Sequence, residues 1–286
     1  MDKAKAASFS VASNCILVVI KAFVGILSGS MSILAEAVHS AVDLVAALIA
    51  YLAVKFADKP ADEAHAYGHG KYENLSGTIE ALLIIGAGLY IVYECIMRII
   101  SRAPIERLGL GMIVMVVSAI ANWAVSKNLF RVARKTDSVA LEADAHHLRL
   151  DVYTSVGVLL GLALVRLTGW VILDRIIGLG VALWIGWIGI QLSMKAAGPL
   201  MDLQLPAAEI ERIVEIIKRD PRVVDFHKLR TRKAGAHRYV DVHLLVSREM
   251  SLQTAHALAE EVEDKIRSEL DNVSVVTHVE PEEDSS

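Results

Sequence analysis

The sequence has little cysteine and no excess of positive charge, and each shortage excludes a class of protein. Only two cysteines occur among the 286 residues, Cys15 and Cys95, and they lie far apart in apolar segments without a Cys-x-x-Cys pair. Neither a disulfide framework nor a thiolate metal site is therefore supported. The formal net charge is −4, so the chain lacks the basic footprint expected of a protein that binds nucleic acid.

Apolar residues, by contrast, are abundant. They make up 54% of the chain, and the mean hydropathy is +0.46. These values are typical of a polytopic protein of the lipid bilayer that also has a polar portion. About twenty apolar residues are needed to cross a bilayer. Six transmembrane helices are predicted on this basis, at 8–27, 31–56, 77–100, 107–129, 147–168 and 170–193.

The charged residues between these spans predict their orientation. No clear small-residue cleavage pattern follows the first apolar run, so we interpret it as a retained span and not as a signal peptide. Lys and Arg are concentrated before span one, between spans two and three, and between spans four and five, whereas the turn Ser28-Gly29-Ser30 carries none. The positive-inside rule then places both termini in the cytoplasm, and an inner (plasma) membrane is the expected location.

The character of the chain changes near Gly198, which predicts a transmembrane domain over 1–197 and a second domain over 198–280. AAEIERIVEIIKRD has the pattern of an amphipathic helix, and two alternating segments follow it with a Lys233-Ala234-Gly235 turn between them. Ser251 is a plausible N-cap for a second helix, and NVSVVTHVE is a last strand. The order α-β-β-α-β predicts a small α+β domain with both helices on one face of a sheet. The tail 281–286 is predicted to be disordered.

Two copies of His-x-x-x-Asp lie inside apolar spans. They are His39 with Asp43 and His147 with Asp151. Residues i and i+4 share one face of a helix, so two such faces turned toward each other would surround one point with two imidazoles and two carboxylates. That donor set suits Zn²⁺, and ionisable groups at membrane depth indicate function by default. The pair of motifs predicts a metal site that could exchange its metal for protons.

Two further groups of histidines and carboxylates could bind metal. Asp62, His65 and His69 follow span two, where they converge if the segment is helical, although Gly68 and Gly70 favour a loop equally well. In the second domain, histidines occur on both adjacent strands, on the helix and on the last strand. On spacing alone a metal site there is less favoured than structural or solvent-facing roles; the residues are His227, His243, His256, His278 and Glu280.

Taken together, these residues and the six spans resemble the cation diffusion facilitator family over nearly the whole chain. The resemblance implies that His39, Asp43, His147 and Asp151 form a transport site. It also implies that Asp62, His65 and His69 form a loop site, and that His227, His243, His256, His278 and Glu280 form a cytoplasmic binuclear site. Some bacterial members have Asp where this chain has Glu280. Members are typically homodimers that export divalent metal from the cytoplasm in exchange for protons.

Several functions remain open at this point. His39 resembles the zinc-preferring pattern of the family, but imidazole with carboxylate also accepts Cd²⁺, Co²⁺ or Fe²⁺, and an exporter of Fe²⁺, Mn²⁺ or Cd²⁺ is an alternative. A second alternative is a metal-sensing membrane scaffold without transport, which would have no need for ligands at membrane depth. An enzyme is not expected, because four protein ligands leave no open position for a catalytic water.

Overall fold

Six long helices form the first part of the chain. The computed structural model describes residues 2–28, 31–101, 109–169 and 172–282. Within these residues the chain divides into two compact units, Met1–Ala197 and Gly198–Ser286. The helices of the first unit are α1 (Lys3–Ser28), α2 (Met31–Ala57), α3 (Lys71–Ser101), α4 (Gly109–Thr136), α5 (Val139–Thr168) and α6 (Ile172–Ala197).

The helices are longer than the apolar runs predict. α3 begins at Lys71 and α5 at Val139, whereas the apolar runs begin at 77 and 147, and α4 continues to Thr136. Hydropathy reports only the part of a helix that suits lipid, while the helical hydrogen bonds continue through polar turns at its ends. At the start of α5, the Ser138 hydroxyl accepts a hydrogen bond from the backbone N–H of Leu141 at 3.4 Å. The polar start of α5 is therefore capped as well as helical.

Helix α5 lies between two apolar clusters. Its residues Leu141 and Leu148 pack with α1, α2 and α4 in one cluster, while Ala143 and Leu150 pack with α3 and α6 in the other. Helices α3 and α6 approach closely, since a Cβ on Gly189 would lie 2.7 Å from the Ile85 side chain. The second predicted motif, on α5, is thereby held in the middle of the unit.

The outer surface of the helices is apolar. Large side chains such as Ile16, Leu89, Trp184 and Trp187 are exposed on α1, α3 and α6. Within the described residues, four segments are long and apolar enough to cross a membrane: Lys3–Leu27, Ser40–Ala57, Lys71–Tyr93 and Gly178–Met201. This exposed apolar surface suits contact with lipid tails, as expected for an integral membrane protein.

The second unit is a small α+β fold. A 3₁₀ turn (Gly198–Met201) precedes α7 (Ala207–Lys218), β1 (Val223–Ala234), β2 (His237–Val246), α8 (Leu252–Glu269) and β3 (Val273–Pro281). The sheet has the order β1-β2-β3, with β1 antiparallel and β3 parallel to β2. The predicted fold class, a helical membrane protein followed by an α-β-β-α-β domain, is confirmed.

Some local predictions for this unit hold and others shift. Ser251 is the N-cap of α8, where its hydroxyl accepts from the N–H of Thr254 at 3.2 Å. The turn between β1 and β2 comes later than predicted, because β1 runs through Ala234 and the bend uses Gly235, with φ +58°. Pro281 belongs to β3, so the strand extends into the predicted tail. Residues 283–286 lie outside the described residues.

Asp220 joins the end of α7 to the start of β1, the strand that carries His227. Its buried carboxylate accepts from Arg222 Nε and Nη2 at 2.9 and 2.8 Å, and from Lys265 Nζ at 3.0 Å. The Arg222 guanidinium, with help from Lys265, holds the pKa of Asp220 well below its usual range. The stabilisation of the folded state by the ionised Asp220 carboxylate is therefore present above about pH 3.9 and is lost as the pH falls further.

We expect Asp220→Asn to lower the free energy of unfolding of the second unit by about 1–3 kcal/mol at neutral pH. The reason is that the amide loses the charge-assisted hydrogen bonds from Arg222 and Lys265. Urea denaturation of a fragment that begins at Gly198, which contains its own apolar core, measures the difference. Equal free energies of unfolding at neutral pH would contradict this role of Asp220.

Candidate metal centres

The first candidate centre lies between α2 and α5 in the helical unit. Asp43, His147 and Asp151 each offer a ligand atom, and these atoms all lie within 4.8 Å of one another. His147 Nε2 is 3.1 Å from Asp43 Oδ1. Asp43 is 5% exposed and His147 is 8% exposed, whereas Asp151 is only partly buried, so most of the centre lies inside the helical unit. We call these three residues the transmembrane cluster.

Helical spacing explains how the transmembrane cluster forms. His147 and Asp151 are four residues apart on α5 and share one face, and the contact of α5 with α2 brings Asp43 to them. His39 lies one turn before Asp43 on α2. Its side chain is outside the described residues, so its role as the fourth ligand stays a prediction.

A neighbouring amide on α4, which no motif in the sequence predicts, supports this cluster. Asn122 is 7% exposed, and its Nδ2 donates to Asp151 Oδ2 at 3.3 Å. The backbone carbonyl of Asp151 also accepts from the hydroxyls of Thr154 and Ser155, at 2.9 and 2.8 Å. The hydrogen bond from Asn122 would orient the Asp151 carboxylate as a ligand. The signal in the sequence is an asparagine inside an apolar span.

The second candidate centre is the loop between α2 and α3, and it forms without a helix. Asp62 Oδ1 is 3.2 Å from His65 Nδ1, and Asp62 Oδ2 is 3.4 Å from His69 Nε2. The backbone turns at Gly68, with φ +77°, and its N–H donates to the carbonyl of His65 at 2.8 Å. The three predicted residues therefore converge in a loop, which is the arrangement that the glycines favour.

The electrostatics of the loop suit a cation. A hydrogen bond from the backbone N–H of His65, at 2.7 Å, lowers the pKa of Asp62 below its ordinary value. The His65 and His69 rings lie 4.4 Å apart. The carboxylate is thus held in its charged form beside two imidazoles, which is the state that binds divalent metal.

The third candidate centre lies across the sheet of the second unit. His227 is the register partner of His243, which is in turn the partner of His278. The ring centroids of these neighbouring pairs are 5.2 and 4.7 Å apart. Adjacent strands place paired residues on one face of a sheet, so three histidines form a row. We call these histidines together with Glu280 the sheet cluster.

Glu280 lies at the centre of the sheet cluster. Its Oε1 is 2.7 Å from His243 Nδ1, and its Oε2 is 2.9 Å from His227 Nε2. The second contact lacks the alignment of a hydrogen bond. The hydrogen bond with His243 lowers the pKa of Glu280 below its ordinary value. The longer carboxylate, compared with Asp in some relatives, therefore still reaches the imidazoles.

His256 does not join the sheet cluster, contrary to the role that the family resemblance implies. Its Nε2 is 3.4 Å from Glu260 on the same helix, α8, and its side chain is 73% exposed. The face of α8 that packs on the sheet is formed by Ala255, Leu258 and Val262. His256 follows Ala255 directly and therefore points away from that face. In the part of the chain that the structure describes, His256 therefore lies outside the sheet cluster, and its role as a ligand stays a prediction.

The sheet cluster gives a prediction about zinc and stability. Zinc at about a hundred times its dissociation constant should stabilise the fragment from Gly198 by about 2.7 kcal/mol. Glu280→Ala should reduce this gain to about 0.4 kcal/mol at the same zinc concentration, as expected for an affinity about 100-fold weaker. Thermal unfolding with and without zinc measures both values. His256→Ala is the matched control, and a loss of the zinc effect in that variant instead would place the centre elsewhere.

Both parts of the chain match models of cation efflux proteins. The family model described as the cation efflux transmembrane domain matches residues 7–201, and that of the cation efflux protein, cytoplasmic domain, matches residues 205–282. An uncharacterized transporter of Synechocystis is 36% identical over 259 residues, which cover 90% of this chain and 84% of its own length. The cation-efflux pump FieF of Escherichia coli is 34% identical over 277 residues, which cover 97% and 92%.

Two solved structures that resemble this chain each cover less than a third of it. CzrB, described provisionally as a zinc transporter, is 32% identical over 28% of this chain and 99% of its own, with a TM-score of 0.27. The metal-bound C-terminal domain of the CzcD transporter from Thermotoga maritima is 24% identical over 29% of this chain and 100% of its own, also with a TM-score of 0.27. These scores are too low for the structural likeness to carry an argument.

Proposed function

We propose, because this chain belongs to the cation efflux family (the cation diffusion facilitators), that the metal it carries is Zn²⁺. The chain exports divalent metal ions, and we further propose that protons move in the opposite direction. The observation that carries the proposal is the transmembrane cluster, with Asp43, His147 and Asp151 converging inside an apolar helical unit. Two carboxylates neutralise a divalent cation, which limits the penalty of placing it at membrane depth.

Zinc is favoured by the donor set. One imidazole and two carboxylates lie together, and His39 would add a second imidazole to complete four ligands. Nitrogen and oxygen donors in a four-coordinate site suit Zn²⁺, whereas Mn²⁺ prefers oxygen donors. A metal-sensing scaffold without transport would not require ligands in the helical unit, so the transmembrane cluster favours the exporter.

Proton exchange follows from what the ligands need. Metal binding requires ionised carboxylates and neutral imidazoles, so the centre releases protons when metal enters and binds protons when metal leaves. An inward proton gradient would then favour the metal-free form on the outer side. The same groups therefore alternate between Zn²⁺ and H⁺, and the gradient drives zinc outward.

The remaining parts of the proposal concern assembly and location. We place residues 1–197 in an inner (plasma) membrane and residues 198–280 in the cytoplasm, where both termini also lie. The match to a cytoplasmic domain at residues 205–282 supports this orientation. The protein acts as a homodimer, as members of the family typically do. Zinc bound by the loop cluster (Asp62, His65 and His69) and the sheet cluster would have a structural or regulatory role.

Transport by the purified protein tests the function. Proteoliposomes should take up Zn²⁺ in preference to Mn²⁺, Fe²⁺, Cd²⁺ and Co²⁺. Zinc uptake should increase when the vesicle interior is more acidic than the medium, so that protons move out as zinc moves in. Protein-free vesicles and the Asp151→Ala variant are the controls. Equal zinc uptake with and without the pH gradient would reject the exchange of zinc for protons. Preferred uptake of a different metal would reject zinc as the substrate but would still agree with metal export.

We expect His39→Asp to broaden the selectivity of transport. An oxygen donor replaces an imidazole, so Mn²⁺ and Fe²⁺ should gain relative to Zn²⁺. Zinc flux should fall less than it does in Asp43→Ala, because the site keeps four potential ligands. The ratio of initial rates for Zn²⁺ and Mn²⁺ in proteoliposomes measures the change. An unchanged ratio would mean that other residues determine selectivity.

A further inference from the structure

Two more carboxyl groups lie inside the helical unit, outside the three candidate metal centres. Glu80 on α3 is 0% exposed and Asp144 on α5 is 2% exposed. Glu80 belongs to the apolar segment Lys71–Tyr93 and lies about 14 Å along the helix axis from its first residue. Asp144 is close enough to Glu80 to act on it electrostatically. We call Glu80 and Asp144 the carboxyl pair.

The carboxyl pair has little to stabilise a negative charge. Among the described residues, neither oxygen of Glu80 has a hydrogen-bond partner, and Oδ2 of Asp144 has none either. The charged or titratable groups that face Glu80 are Asp144 and His147. Those that face Asp144 are His147 and Asp151 on its own helix and Asp43 on α2, together with the Ser10 hydroxyl on α1. Acidic groups thus predominate among these neighbours.

An ionised carboxylate in these surroundings is expensive. Moving an unpaired charge out of water costs several kcal/mol even after the protein relaxes, and like charges nearby add repulsion. A carboxyl group in such a place takes up a proton instead. A metal ion bridging the pair is less favoured, because no cluster of three metal-binding groups within the described residues includes Glu80 or Asp144.

We propose that Glu80 and Asp144 form a proton-binding pair that holds at least one exchangeable proton in the metal-free protein. The proposal rests on the proposed zinc and proton exchange and adds a proton site that is not a metal ligand. When Zn²⁺ enters the transmembrane cluster, two positive charges arrive near the pair, the carboxyl group of Glu80, which has no hydrogen-bond partner among the described residues, loses its proton to solvent, and its carboxylate remains. When the metal leaves, a proton returns to the same oxygen.

Counting protons tests the pair. In full-length protein with the loop and sheet clusters removed by Asp62→Ala and Glu280→Ala, calorimetry in buffers of different ionisation enthalpy gives the protons released per zinc. Glu80→Gln imitates the protonated carboxyl group in shape and cannot release a proton, so its zinc affinity should approach that of the parent at acid pH and fall below it as the pH rises. Proton release per zinc should fall by about one. Asp144→Asn should lower it in the same direction, and Glu142→Gln on the same helix should leave it unchanged.

A second measurement uses protein in which Glu80 and Asp144 are unchanged, so its result does not depend on whether the variants fold. Infrared difference spectra with and without zinc should show the loss of a protonated carboxyl band, and isotopic labelling of glutamate should shift that band. An unchanged proton count in folded Glu80→Gln, or a zinc-dependent spectrum without a glutamate-sensitive band, would overturn the proposal. Parent protein that releases no protons at all would instead refute the exchange mechanism, so the two failures are distinguishable.

Discussion

Replacing Asp151 by alanine should reduce zinc flux by about 100-fold or more while the protein stays folded. Loss of a neighbour that merely supports a ligand typically costs 10–100-fold in metal affinity, and the loss of a ligand should cost at least as much. Asp151 supplies one of the two carboxylates of the transmembrane cluster. Without it, the metal would keep an uncompensated positive charge in an apolar unit. Initial rates of zinc uptake into proteoliposomes measure the effect.

Three controls separate chemistry from folding. Asp151→Asn keeps the shape and a hydrogen bond with Asn122 but removes the charge, so it should be nearly as inactive. Asn122→Ala should lose only about tenfold, because it removes a supporting hydrogen bond. Glu142→Ala on the same helix breaks an exposed ion pair with Lys195 and should keep its activity. Flux at the parental rate in folded Asp151→Ala would reject the transmembrane cluster as the transport site.

Zinc affinity at the transmembrane cluster should fall steeply as the pH is lowered. Protons and zinc compete for the same carboxylates and imidazoles, so the metal-free form gains protons that the bound form lacks. The affinity therefore rises with pH, by about tenfold per pH unit for each proton displaced. Titration at about pH 6 and about pH 8, which lie on either side of the reference value for histidine, covers the relevant range.

The measurement of pH dependence needs protein without the other two centres. Asp62→Ala and Glu280→Ala remove a ligand from the loop cluster and from the sheet cluster, and both residues have lowered pKa values that would add their own pH dependence at acid pH. The slope of log affinity against pH then reports the transmembrane cluster and the carboxyl pair together. A flat profile in this protein would be incompatible with proton-coupled export.

The three groups of ligands differ in how well sequence alone located them. Asp43, His147 and Asp151 were predicted to converge because helical spacing fixes which residues share a face, and the structure brings them within 4.8 Å. For the loop residues, the sequence does not distinguish a helix from a turn, since glycine permits both. Spacing in the sequence does not fix the position of His256, because helical phase against a sheet depends on which face packs, and here that face is the stripe of Ala255, Leu258 and Val262.

The apolar helices, the α-β-β-α-β order and the residue types at the metal centres can be predicted from the sequence, because they follow from local periodicity and donor chemistry. Which polar residues support those centres depends on the packing of the helices. Asn122, Glu80 and Asp144 belong to no motif in the sequence, and their positions beside the ligands result from packing. The physical reason is that a buried polar group is defined by its neighbours in space, and those neighbours come from helices far apart in the chain.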